Sequence, residues 1–244
     1  MPKFFISKEN IFENFAKISG DDARHIARSL RMAVGDEITV SDGECAEYLC
    51  RLTRIRDEEC ECEIVERLEE SSESPVFITL CMAYPKGDKL ETVIQKSVEL
   101  GASRVIPFES SRCIKRPKAE KQEKQTARLQ RIAEEAAKQC GRSRLPEVTP
   151  PASFQKMLEE AKSSDITLFC YENERATTIK EALRSATKPK SIAIIVGSEG
   201  GFSPEEARLI ENEGFRSVTL GKRILRCETA PDYALTAISY EYEL

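Results

Sequence analysis

The chain has 244 residues, with 37 Lys and Arg against 42 Asp and Glu, one His, nine Cys and no Trp. With 40% hydrophobic and 32% charged residues it is too apolar for a disordered chain, and no apolar run approaches the ~20 residues that span a bilayer. The net charge of −5 hides an uneven spread: residues 1–72 carry 10 basic and 17 acidic side chains, whereas residues 112–144 carry 11 basic and 4 acidic.

At roughly 150 residues per domain, the length predicts one large domain or two smaller ones. The start, Met1-Pro2-Lys3-Phe4-Phe5-Ile6-Ser7-Lys8, turns polar too early for a signal-peptide core, which predicts a cytoplasmic protein with no membrane attachment. A short helix is expected over Asp22–Leu30, capped by Asp21 or Asp22. Asp36–Val40, Ala46–Ile55 and Glu59–Val65 alternate partially and are bounded by Gly and Asp turn signals, so they read as strands. Cys60 and Cys62 then point the same way on one face. The nine cysteines are irregularly spaced, with no C-x-x-C pair, and His25 is the single histidine. Reduced thiols and no metal site are expected. Residues 1–70 thus form a small strand-rich domain, and the polar stretch at 71–75, ending in Pro75, reads as a linker.

From 76 to 244 strands and helices alternate. Strands are expected at Val76–Tyr84, Arg104–Phe108, Ile166–Tyr171, Ser191–Val196 and Val218–Leu220. Pro107 marks an edge or an early strand end. Helices are expected from Asp88, with a capping box to Glu91 and Gly101 as the residue beyond its end, over Ala119–Cys140, over Thr178–Ser185, and over Asp232–Tyr242. Ser203-Pro204-Glu205-Glu206 opens another helix with an N-cap, a first-turn proline and a capping-box glutamate. This α/β order predicts a mostly parallel sheet covered by helices on both faces.

Three segments depart from scaffold. Val196-Gly197-Ser198-Glu199-Gly200-Gly201-Phe202 follows an apolar strand, where open α/β sheets collect ligands. It is neither a P-loop nor G-x-G-x-x-G, and Glu199 suits a hydroxyl, amine or cation better than a phosphate. The second, Leu220 to Pro231, holds Ile224 and Leu225 between Lys222, Arg223 and Arg226, as the wall of a pocket does. A ligand-free glycine turn and a structural loop are the plainer readings of these two. The third is the basic segment, with Arg112, Lys115, Arg116, Lys118, Arg128, Arg131, Lys138, Gln139, Arg142 and Arg144. It fits either phosphate contacts or a solvated helix face. His25 is a general base by residue type, but its neighbours Arg24, Arg28 and Arg31 make it an RNA-contacting or surface residue instead.

Taken together, these segments resemble the bacterial 16S ribosomal RNA uridine-N3 methyltransferases of the RsmE type, within the trefoil-knotted SPOUT superfamily. The match rests on Lys86-Gly87-Asp88-Lys89-Leu90-Glu91, Lys96-Ser97-Val98-Glu99-Leu100-Gly101, Glu134 to Arg142, and the two loops Gly197–Phe202 and Leu220–Ala230. Phe4-Phe5 and His25 to Met32 fit the PUA-like RNA-binding domain of that family. Ser198 replaces a usual Pro, Leu129 a Trp, Cys140 a Ser and Cys227 a Thr; no charged or glycine position is lost.

The resemblance implies a small PUA-like β-barrel followed by a SPOUT domain with a parallel sheet and a deep trefoil knot. It implies S-adenosylmethionine (product S-adenosylhomocysteine) between the two loops, held by Gly197, Glu199, Gly200, Gly201, Leu220, Gly221, Ile224 and Leu225, with Leu168, Tyr171 and Glu172 as a third wall. It further implies a homodimer, 16S rRNA as substrate in the assembled small subunit, and RNA contacts from Lys3, Arg24, His25, Arg28, Arg31, Arg112, Lys115, Gln139, Arg142, Arg223 and Arg226. Uridine N3 must lose its proton before it attacks a sulfonium methyl. Arg226 or Arg112 is expected to stabilise the uracilate, and Glu199 or Glu228 to accept the proton or position a water. Alternatives are a knotted enzyme for another RNA position, such as a ribose 2′-hydroxyl, and a non-catalytic ribosome-assembly factor.

Overall fold

A computed structural model describes residues 1–69, 72–114 and 119–244. Lys115, Arg116 and Lys118 of the basic segment, and residues 70 and 71 of the linker, lie outside the described residues. The chain divides into two compact units, Met1–Glu73 with Ala137–Leu145, and Ser74–Ala136 with Pro146–Leu244.

The first unit is one five-stranded sheet, curled as a half-barrel, built from β1 (Lys3–Phe5), β2 (Phe15–Ser19), β3 (Glu37–Ser41), β4 (Glu47–Ile55) and β5 (Glu59–Leu68). The order is β1-β3-β4-β5-β2; β1 runs parallel to β3, and the other pairs are antiparallel. β1 and β2 are too short for alternation to reveal them, yet Phe4, Ala16 and Ile18 are core residues. Cys60 and Cys62 do share the inward face, beside Cys50, and all three are buried. The helix expected over Asp22–Leu30 starts earlier, as α1 (Gly20–Arg24) behind Ser19, and widens into a π-type turn over His25–Ser29. Asp21 and Asp22 therefore sit inside its first turn, where their charge favours the helix N-terminus, rather than at the cap.

The segment Ala137–Leu145 completes this unit, and Glu73 is its anchor. Arg142 Nη2 lies 2.5 Å from Glu73 Oε2, and the Ser143 and Arg144 N–H groups donate to Oε1 at 3.0 and 2.9 Å. Glu73, read from sequence as part of a polar linker, is half-buried, and four donors converge on it.

The second unit is a six-stranded parallel sheet in the order β11-β9-β10-β6-β7-β8. Its strands are β6 (Phe77–Ala83), β7 (Ala102–Phe108), β8 (Glu147–Val148), β9 (Ile166–Cys170), β10 (Ser191–Val196) and β11 (Arg216–Val218). β10 reads Ser-Ile-Ala-Ile-Ile-Val and is apolar on both faces because helices cover both. Pro107 does not mark an edge. β7 lies between β6 and β8, and only Arg104 and Val105 pair with the two-residue β8, so Pro107 faces a place where β8 asks for no donor.

The covering helices are α2 (Lys89–Glu99), α3 (Ala119–Cys140, whose last turn belongs to the first unit), α4 (Phe154–Lys162), α5 (Ile179–Arg184), α6 (Pro204–Asn212) and α7 (Thr229–Tyr242). The capping box expected at Ser203 and Glu206 is formed, and Thr178 and Glu181 form a second one on α5. Asp88 does precede α2, but its side chain makes no capping bond, so the box expected with Glu91 is absent. Two strand and helix edges also move: β11 ends at Val218, and α7 begins at Thr229 with Pro231 in its first turn, where a missing N–H costs nothing. α4 and β8 carried no signal that singled them out. No helix among the described residues is long and apolar enough to cross a membrane.

Candidate functional site

β9, β10 and β11 run parallel and adjacent, so the loops at their carboxyl ends emerge side by side. They enclose a cavity of about 440 Å³, a size suited to a nucleoside-containing ligand. Tyr171, Glu172 and Arg175 come from the first loop, Gly197 to Gly201 from the second, and Leu220 to Glu228 from the third. Lys89 reaches the same cavity from the start of α2.

The glycines of the second loop are steric requirements. Gly197 faces the Phe202 ring, where an added Cβ would come within 2.9 Å; Phe202 is itself buried edge-on to Phe169 at 4.9 Å. Gly201 has φ +62°, and a Cβ there would overlap the Glu172 carboxylate. Its N–H closes the turn onto the Ser198 carbonyl at 2.9 Å. The hydroxyl of Ser198 is buried, lines the cavity and has no hydrogen-bond partner among the described residues.

Charge is organised around Lys89. Its Nζ lies 2.8 Å from Glu199 Oε1 and 3.3 Å from Glu228 Oε2, and the Lys86 N–H donates to both Glu199 oxygens at 3.2 Å. Burial pushes the Glu199 carboxyl up, but Lys89 and the backbone N–H groups outweigh it and hold the carboxyl below the ordinary range. Glu228 is held low by its own backbone N–H, with Cys227 and Lys89 adding to it. Lys89 is raised in turn, chiefly by Glu199. The Cys227 thiol, 3.2 Å from Glu228 Oε2, is pushed up to about 12 by burial and by that carboxylate. Lys222, Arg223 and Arg226, by contrast, have no acidic partner within ion-pair distance among the described residues, although they line the cavity.

Residues 72–239 match the family model described as an RNA methyltransferase domain, and residues 18–65 the one described as an RNA methyltransferase PUA domain. Across the whole chain the sequence is 37% identical to ribosomal RNA small subunit methyltransferase E of Bacillus subtilis, covering 98% of that protein. This chain belongs to that family. It is also 32% identical to the Synechocystis protein of the same name, over 97% of this chain and 77% of that one. Among solved structures it resembles ribosomal RNA small subunit methyltransferase E from Neisseria gonorrhoeae bound to S-adenosyl methionine, with a TM-score of 0.86, 34% identity, and coverage of 98% and 97% of the two chains. The parallel-sheet unit and the PUA-like unit are thus those of the family.

Of the residues singled out as cofactor-binding in this family member, Tyr171, Glu172, Gly197, Glu199, Gly200, Gly201, Leu220, Gly221, Ile224 and Leu225 all line the one cavity. Leu168 does not. It sits two residues short of the end of β9, fully buried in the sheet core. Ile224 lines the cavity rim but is 81% exposed, so it is not the packed wall its sequence neighbours suggested. Arg226 and Glu228 also line the cavity, whereas Arg112 approaches from outside, with Nη1 2.9 Å from the Gly200 carbonyl.

Two expected RNA contacts are engaged in internal ion pairs instead. Lys3 donates to the carbonyls of Gly141 and Arg142 at 2.7 and 3.1 Å and pairs with Glu47; Arg142 pairs with Glu73. With side-chain exposures of 11% and 6%, neither presents its charge to a phosphate. Arg24, His25, Arg28, Arg31 and Gln139 are exposed, although Arg24 pairs with Asp21 and Arg28 with Asp57. Arg223 and Arg226 are exposed at the cavity, and Lys115 lies outside the described residues.

Sequence reasoning missed Lys89 and Arg175 as site residues and Glu206 as a support. Lys89 stood in a motif read as a helix start, and nothing local ties it to a carboxylate 110 residues away.

Proposed function

We propose that this protein methylates N3 of a specific uridine in 16S ribosomal RNA, using S-adenosylmethionine bound in the cavity between the three loops and leaving S-adenosylhomocysteine. The observation that carries the reading is the convergence of the glycine loop and the arginine-flanked loop on one cavity that holds fixed carboxylates beside arginines without acidic partners among the described residues.

The cavity fits such a cofactor on its own chemistry. The Gly197 to Gly201 turn lines it, the buried Ser198 hydroxyl lacks a partner among the described residues, and Glu172, Glu199 and Glu228 suit a cation. When bound, the sulfonium supplies an electrophilic methyl that needs no metal. Arg226, at the cavity, stabilises the uracilate as charge develops on the base, and Arg112 supports the loop at Gly200 from outside. Glu199 and Glu228 stay ionised at neutral pH because their partners hold them low, so they act as fixed charges and orient a water that takes the N3 proton.

In this reading residues 1–70 form the RNA-binding domain and residues 76–244 the methyltransferase domain, joined at 71–75. Exposed Arg24, His25, Arg28, Arg31 and Gln139 contact rRNA in the assembled small subunit. The deep trefoil knot, the homodimer and a cytoplasmic location belong to the same proposal. Deleting the gene and searching 16S rRNA by mass spectrometry tests it: 3-methyluridine should disappear and return with the wild-type gene. Loss of a 2′-O-methyl mark instead would make this a knotted enzyme for another position. No lost mark, together with no heat of S-adenosylmethionine binding, would make it an assembly factor.

A further inference from the structure

Two of the three loops that form the cavity are bonded to Lys89 through their carboxylates. This lysine is the first residue of α2, and the chain before it also contributes the Lys86 N–H to Glu199. Glu199 sits between β10 and α6, and Glu228 immediately precedes α7. One ammonium therefore spans segments from three places in the chain, 110 and 139 residues away from it in sequence.

We propose that Lys89 is a positioning residue of the cofactor cavity, a clasp that fixes the glycine loop and the arginine-flanked loop at their working separation through Glu199 and Glu228. The inference rests on the cavity being the S-adenosylmethionine site and adds the residue that keeps it preformed. Lys89 does not act as a counter-charge to the ligand. A cation beside a sulfonium is repulsive, so by Coulomb's law alone its removal would tighten binding. The clasp predicts the opposite sign, because separated loops must be brought together again by the ligand, at the ligand's expense.

The clasp also sets the protonation of the carboxylates. The charged or titratable groups around it are Lys86 and Lys89 from the α2 side, Glu199 from the β10 loop, and Cys227 and Glu228 from the β11 loop. Lys89 lowers both carboxyls, and burial raises them. Without Lys89, burial is opposed only by backbone N–H groups and the Cys227 thiol, so both carboxyls protonate at higher pH.

The test uses the purified full chain as wild type, K89M, K89R and E228Q. Hydrogen–deuterium exchange without ligand should rise in K89M at residues 197–201 and 220–228, and much less in K89R. Calorimetry with S-adenosylmethionine should give about fivefold weaker binding in K89M at neutral pH, the scale of a partly exposed ion-pair network. The deficit should widen as the pH falls towards the ordinary carboxylate range, because carboxyls that have lost their partner protonate before those that keep it, while the wild type stays flat over the same interval. Unchanged exchange, equal or tighter binding in K89M, or a K89R as impaired as K89M would overturn the clasp. If K89M loosens the whole sheet, E228Q decides, since it breaks one arm only: a rise confined to 220–228 supports the clasp and no rise overturns it. A wild type that binds no S-adenosylmethionine would sink the proposed function, whereas the exchange comparison would still judge the clasp by itself.

Discussion

Ser111 gives both of its donors to Glu206: its N–H reaches Oε1 at 2.6 Å and its hydroxyl reaches Oε2 at 2.9 Å. The same carboxylate accepts the Ser203 N–H at 3.0 Å in the capping box of α6. A helix cap thereby becomes the anchor of the loop after β7, and the next residue along that loop, Arg112, reaches the Gly200 carbonyl.

Glu206→Ala should therefore cost more than an ordinary cap. Losing the cap together with the three hydrogen bonds that the buried Glu206 carboxylate accepts predicts about 2 kcal/mol of stability, measured by denaturant unfolding. Arg112 would lose its fixed approach to Gly200 as well. Glu206→Gln keeps the shape and should recover part of the stability; an alanine variant as stable as wild type would show that the loop holds itself.

Gly201 and Gly221 both have positive φ, +62° and +113°, but only Gly201 faces an obstacle. Gly221→Ala should cost about 1 kcal/mol from backbone strain alone. Gly201→Ala adds the displacement of the Glu172 carboxylate and should cost about 3 kcal/mol or open the turn, with loss of S-adenosylmethionine binding by calorimetry. Equal effects at the two positions would remove the steric argument for the loop.

Arg226 lines the cavity without an acidic partner among the described residues, so its side chain is available to substrate. Arg226→Ala should abolish methylation of small-subunit RNA while S-adenosylmethionine affinity changes little. Unchanged turnover would remove Arg226 from the chemistry, and a parallel loss of cofactor binding would make it a binding residue.

The pair of half-buried Glu73 and buried Arg142 should give the first unit an acid-sensitive contribution. Burial pushes Glu73 up, but Arg142 with the Ser143 and Arg144 N–H groups outweighs it, so the folded-state pKa lies below the unfolded one. The contribution is thus complete above the ordinary glutamate range and is lost as pH falls through the depressed value. Arg142→Met leaves the half-buried Glu73 carboxylate without its cation and should cost about 3 kcal/mol at neutral pH. That deficit should shrink in acid as the wild type loses the same interaction. Melting curves of both proteins across pH check the sign; a deficit constant with pH would contradict it.

Local chemistry made much of the fold readable. β10 was recognisable as a continuous apolar run, α6 by Ser203, Pro204 and Glu206, and α3 by apolar positions at helical spacing, because each signal lies within one element. The cavity loops were legible for a related reason: glycines and charged residues at a strand end have few other uses. β1, β2 and β8 were not, since segments this short are marked only by what flanks them and theirs did not single them out; they are strands through their partners.

By itself, then, the sequence determined the longer strands and helices and their alternation after residue 76, the two loops and the family resemblance, all carried by residues close together along the chain. Tertiary structure alone decided which charges are free and which are spent. It tied Lys3 and Arg142 into ion pairs, sank Leu168 into the sheet, drew Ala137–Leu145 into the first unit and set Lys89 between Glu199 and Glu228. The reason is physical: a charged side chain looks the same in sequence whether water or a distant carboxylate solvates it, and only the folded chain brings that carboxylate within reach.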